Sequence, residues 1–175
     1  MGIQVNIKFE EKKWLDKNLK KIAKKAFEAT LRLLELNDLL EKTEISILAC
    51  NDSVIRSYNN RFRNVDSSTN VLSWPRINKF YDKDNIFSHN NGWREIVEND
   101  ILDLGDIAIS YETCLKQSQE LDVILEDHIL HLLVHSFLHL LGYDHEGDSD
   151  FQMMKELEIK TLKYCGIQNP YSLKT

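Results

Sequence analysis

His135-Ser136-Phe137-Leu138-His139-Leu140-Leu141-Gly142-Tyr143-Asp144-His145 sets three imidazoles among leucines and a glycine. Leu130, Leu132, Leu133 and Val134 precede it, so the segment is apolar nearly all round and predicts a buried helix. Residues four apart lie one helical turn above each other, so His135 and His139 face one point. Gly142 is free to take the left-handed conformation that ends a helix, and the reversed chain then returns His145 toward that point. Three neutral imidazoles with a fourth position left to water make a catalytic rather than a structural zinc site. A single histidine on an apolar helix is commonly a hydrogen-bonded core residue. Burying three without partners is costly, whereas a cation serves all of them. His131, one turn before His135, reads as a supporting or packing residue. His128, beside Glu126 and Asp127, reads as part of a polar helix start.

Working outward, Met1–Phe9 alternates apolar and polar and predicts a strand. Residues 12–36 predict an amphipathic helix with Leu15, Leu19, Ile22, Ala26 and Leu33 on one stripe and Lys13, Lys17, Lys20, Lys21 and Lys24 opposite. That lysine face is either a solvated surface or a polyanion-binding one. Residues 44–50 form a second strand, and Asn51-Asp52-Ser53 caps a short helix through Val54, Ile55 and Tyr58. Thr69–Trp74 is a third strand closed by Pro75, residues 76–100 an irregular excursion, and 103–110 a fourth strand. From Tyr111 the pattern is helical to Gly142 with a break near Leu121-Asp122, and a last helix runs from Ser149 to Tyr164. This order predicts a single α+β domain over 1–175: a small mixed four-stranded sheet packed with about five helices, the zinc site at the end of a buried central helix.

Composition agrees with that fold class. The chain has 175 residues, 42% hydrophobic and 29% charged, with a formal net charge of −6. No apolar run approaches the ~20 residues of a membrane span, and a cytoplasmic location without a membrane partner is expected. Cys50, Cys114 and Cys165 are widely spaced with no CxxC pair, which argues against disulfides and thiolate clusters. The acidic balance discourages nucleic-acid binding in general. Its distribution does not, because residues 1–25 hold eight lysines against Glu10, Glu11 and Asp16.

The spacing H-x-x-x-H-x-x-G-x-x-H matches the metzincin protease pattern in ligands and glycine. Those proteases need a glutamate directly after the first histidine as general base, and Ser136 stands there instead. A metalloprotease is therefore the weaker alternative.

His135–His145 resembles the signature H-G-x-L-H-L-x-G-Y-D-H of the YbeY family, bacterial endoribonucleases of ribosomal RNA maturation. Arg63-Asn64-Val65-Asp66-Ser67-Ser68-Thr69-Asn70-Val71-Leu72-Ser73-Trp74-Pro75 is similar to that family's R-x-x-D-x-x-T-[DN]-V-L-S-F-P. Leu104-Gly105-Asp106-Ile107 is similar to a third motif. Ser136 for Gly and Trp74 for Phe are the departures, and the 76–100 excursion looks longer than in many relatives. The resemblance implies one Zn2+ on His135, His139 and His145, with Arg63 as the essential active-site arginine. It also implies a single-strand-specific endoribonuclease acting in 16S rRNA 3′-end maturation and in ribosome assembly and quality control. The partners it implies are ribosomal RNA, components of the small ribosomal subunit and a ribosome-assembly GTPase. A guanidinium suits phosphate oxygens, whereas an unremarkable surface salt bridge is the other reading of Arg63. Asp144 either orients a ligand imidazole or caps the turn. A non-catalytic assembly factor whose zinc only stabilises the helix end is the other functional reading.

Overall fold

A computed structural model describes residues 2–76, 101–144 and 147–172. The excursion from 77 to 100, and His145 with it, lie outside the described residues. The elements run β1 (Gln4–Phe9), α1 (Leu19–Leu33), β2 (Thr43–Cys50), α2 (Asp52–Arg63), β3 (Val71–Pro75), β4 (Leu102–Ser110), α3 (Tyr111–Glu120), α4 (Leu125–Leu140) and α5 (Asp148–Tyr164). They form the predicted α+β domain, with five helices and a four-stranded mixed sheet among the described residues.

The sheet order is β1-β2-β4-β3. β1, β2 and β4 run parallel, and β3 lies antiparallel along the edge of β4. Along β2, Thr43, Ile45, Ile47 and Ala49 are buried while Glu44, Ser46 and Leu48 are half-buried. That period of two directs one face into the main core, with Ile107 and Ile109 of β4, Phe27 of α1, Phe137 of α4 and Leu162 of α5. The other face carries a smaller core in which Ile55 of α2 meets Cys50, Leu72 and Ala108. α4 is packed by α1, α5, α3 and β3, which explains an apolar sequence on nearly every side.

Gly105 has φ +132°, and a Cβ there would stand 2.1 Å from the Trp74 carbonyl oxygen. The glycine of the third motif thus lets β3 approach β4, and β3 is one wall of the cleft described below.

The first helix is shorter than the periodicity suggests. Asn18 is left-handed (φ 50°), so α1 starts at Leu19, and Lys12–Trp14 form a separate 3-10 turn. The cause is Trp14, fully buried, whose indole N–H donates to the Cys50 carbonyl at 2.9 Å. Leu15 is consequently 61% exposed rather than part of the buried stripe. Cys50 and Cys114 are buried free thiols, and Cys165 is a half-buried one. No single described helix is long and apolar enough to cross a membrane.

Candidate metal centre and substrate cleft

α4 ends where the sequence places a glycine. Gly142 has φ 92°. Its N–H donates to the His139 carbonyl at 2.9 Å, and the Tyr143 N–H donates to the Leu138 carbonyl at 3.0 Å. This pair of bonds is the Schellman ending. It reverses the chain so that the Tyr143 carbonyl meets His139 Nδ1 at 2.8 Å.

His135 is held from another element. Its Nδ1 lies 2.5 Å from Glu158 Oε1 on α5, and His131 Nε2 lies 3.1 Å from the other oxygen, Oε2. The Tyr171 hydroxyl also donates to Oε2. Glu158 is only 1% exposed, and burial pushes its pKa up. The hydrogen bonds from His131, His135 and Tyr171 outweigh that and hold the carboxyl well below the usual carboxylate range. An ionised Glu158 accepts only, so His135 Nδ1 carries the proton. The Tyr143 carbonyl likewise requires Nδ1–H on His139.

Both Nε2 atoms are therefore the basic nitrogens of their rings, and they face each other at 3.1 Å. Two lone pairs at that distance repel, and either a shared proton or a metal ion between them relieves the repulsion. Two nitrogens bound to one tetrahedral zinc ion at ~2.0–2.1 Å stand about 3.3 Å apart, close to the separation here. The donor set and its supports would suit a metal, which His135 and His139 would hold from the described residues. Those residues contain no group of three or more His, Cys, Asp or Glu that would hold an ion by itself.

A cleft of about 980 Å³ opens in front of these rings. Its walls include Thr69, Asn70 and Val71–Pro75 from β3 and its approach, Gly142–Asp144 from the turn, and Phe62 and Arg63 from α2. Arg63 is exposed at the end of α2 and has no ion-pair partner among the described residues. The neighbouring carboxylate is taken: Asp66 accepts from Arg56 Nε at 2.7 Å and Nη2 at 2.9 Å. Asn59 binds the Ser67 carbonyl at 2.9 Å and steadies the same loop. Asn70 pins the start of β3, since its Oδ1 accepts from the Val71 N–H at 2.7 Å and its Nδ2 donates to Gln117 Oε1 at 3.0 Å. The motif residues around Arg63 therefore build the loop that presents it.

His128 belongs elsewhere. It lies in the polar first turn of α4 beside Glu126 and Asp127, as expected, but it is buried there, and its Nε2 meets Gln117 Oε1 at 3.1 Å. Burial pushes its pKa down to about 4, with the charge of His131 adding to the effect, so it is neutral near pH 7. The Ser136 hydroxyl is buried, has no hydrogen-bond partner among the described residues and does not line the cleft, so it offers no proton acceptor there. Asp144 is exposed on the cleft wall. Glu158 and the Tyr143 carbonyl accept from His135 and His139.

A family model described as Endoribonuclease YbeY matches residues 4–166. The chain belongs to the YbeY family. Among its YbeY relatives, that of Ruegeria sp. (strain TM1040) is 40% identical over 173 residues, covering 97% of both chains. The Dinoroseobacter shibae relative is 38% identical, covering 95% of this chain and 90% of its own. Both carry the name Endoribonuclease YbeY. The solution structure of TM1509 from Thermotoga maritima shares the fold, with a TM-score of 0.53 at 18% identity over 93% of this chain and 92% of that one.

Glu158 was the residue that motif reading passed over, and a signal for it exists. It lies four residues after Met154 and four before Leu162, so it interrupts the buried stripe of α5 with a carboxylate. Because it fixes the His135 tautomer, Glu158→Gln is expected to weaken zinc affinity by about 10–100-fold, read by chelator competition. Unchanged affinity would remove Glu158 from the support of the centre.

Proposed function

We propose that this chain is a zinc-dependent endoribonuclease that cuts single-stranded RNA during ribosomal RNA processing, at the 3′ end of 16S rRNA. The observation that carries the reading is one cleft in which two oriented imidazoles face the same point and an arginine with no carboxylate partner among the described residues stands on the wall. Family membership supports the endoribonuclease part, and the match of donors to a cation supports the metal.

In this reading His135 and His139 hold the ion, with His145 as the third ligand. Zinc held there would supply Lewis acidity toward a water and a phosphoryl oxygen. The chain's own residues do the rest. Arg63 offers planar paired donors to the non-bridging oxygens of a phosphodiester and stabilises charge as it builds on them. Glu158 and the Tyr143 carbonyl keep both Nε2 atoms basic and aimed, so no reorganisation is needed during reaction. Ribosomal RNA, small-subunit components and an assembly GTPase are the partners this role entails, in the cytoplasm.

The test joins metal analysis to cleavage of a precursor 16S rRNA fragment. One zinc per chain and cleavage that stops with chelator and returns with zinc are expected. RNA binding that persists without metal, and without products at any metal loading, would replace the nuclease by a non-catalytic assembly factor.

A further inference from the structure

The face of the sheet opposite α4 carries a second hollow, of about 470 Å³, that the metal centre does not use. The strand register lays out its floor. Lys8 and Leu48 pair in one cross-strand row, and Ser46, Asp106 and Trp74 form the next. Tyr58 and Phe62, one turn apart on α2, supply the wall. The three aromatic rings make one cluster. Tyr58 and Phe62 are near-parallel (7°) at 6.2 Å, and Trp74 meets them edge-on at 5.8 and 5.6 Å.

Two features separate this cluster from ordinary packing. Phe62 leaves 53% of its surface in water, which is unfavourable for a ring of that size unless something covers it. Phe62 and Trp74 also line the cleft that holds His135, His139 and Arg63, so the hollow and the cleft adjoin at their rings. The cation at the junction is Arg61, whose guanidinium lies 5.3 Å from the Phe62 ring. Lys8 at the far side is paired with Glu10 at 2.6 Å, and Asp106 is engaged by Arg76 at 3.1 Å. By contrast, the groove beside Lys20, Lys21 and Lys24 shares no lining residue with the cleft, and Lys13 is bound to Glu112 at 3.1 Å.

We propose that this hollow is a nucleobase subsite, in which a base of the RNA single strand next to the phosphodiester in the cleft stacks on Phe62 and Trp74. The inference rests on the endoribonuclease reading and adds to it the surface that selects unpaired RNA. A base within a duplex has its faces occupied and is not available to the ring, whereas an unpaired one stacks with little regard to sequence. Arg61 then meets the adjoining backbone as a salt-sensitive phosphate contact.

The test uses the zinc-loaded protein and a short 2′-O-methyl RNA single strand, read by fluorescence anisotropy. Phe62→Ala is expected to weaken binding about 5–100-fold, the loss of one base–aromatic stack, while Phe62→Tyr binds like wild type. An abasic residue scanned along the strand should cost wild type a similar factor at one position and cost Phe62→Ala nothing further there. Binding to the same sequence as a duplex should not distinguish the variants. If wild type binds the single strand and Phe62→Ala binds it equally well, the subsite is wrong and the nuclease reading stands. If wild type binds no single strand, both fall.

Discussion

His139→Ala should bind no zinc and should lose RNA cleavage by about 10³-fold or more, the several kcal/mol that a metal Lewis acid contributes. This variant is the cleaner of the two ligand deletions. His139 Nδ1 is held by a backbone carbonyl on the turn, which water can satisfy once the ring is gone. Removing His135 instead would strip a donor from a carboxylate that is 1% exposed, and breaking a buried pair commonly costs about 3–5 kcal/mol. Thermal unfolding and metal content measured together separate the two effects. A His139→Ala protein that stays folded, holds one zinc and cleaves normally would remove this pair of imidazoles from the reaction.

Arg63→Ala should keep its zinc and its melting temperature and lose about 10²–10³-fold in kcat, the cost of deleting one charge-stabilising donor. The fold is indifferent because Arg63 is exposed and has no ion-pair partner among the described residues. Arg63→Lys should recover only part of the loss, because an ammonium restores the charge without the planar fork. Cleavage at the wild-type rate by Arg63→Ala would leave the arginine a bystander. The two substitutions form a matched pair, since only His139→Ala moves metal content.

Much of this architecture is legible in the residues because strong local signals coincide with the fold. The alternating strands, the Asn51 cap whose Oδ1 accepts from the Val54 N–H at 3.0 Å, the left-handed Asp122 between α3 and α4 and the Gly142 turn all sit where pattern places them. What pattern misses is tertiary. Helical periodicity continues through Lys12–Asn18, yet an indole hydrogen bond to β2 breaks the helix there. His128 has acidic neighbours in sequence, yet it is buried and bonded to the Gln117 amide in space. Glu158 is one of many glutamates on a charged helix until α4 is placed against it. Arg63 owes its exposure to Arg56 claiming Asp66, a pairing across the loop that spacing does not reveal.

Glu158 also sets an order of events during synthesis. The anchor that aligns His135 comes from α5, and Tyr171, further along still, closes over the same carboxylate. A nascent chain that has emerged only as far as the histidines has the imidazoles without the carboxylate that aligns His135, so that alignment waits for the last helix to dock.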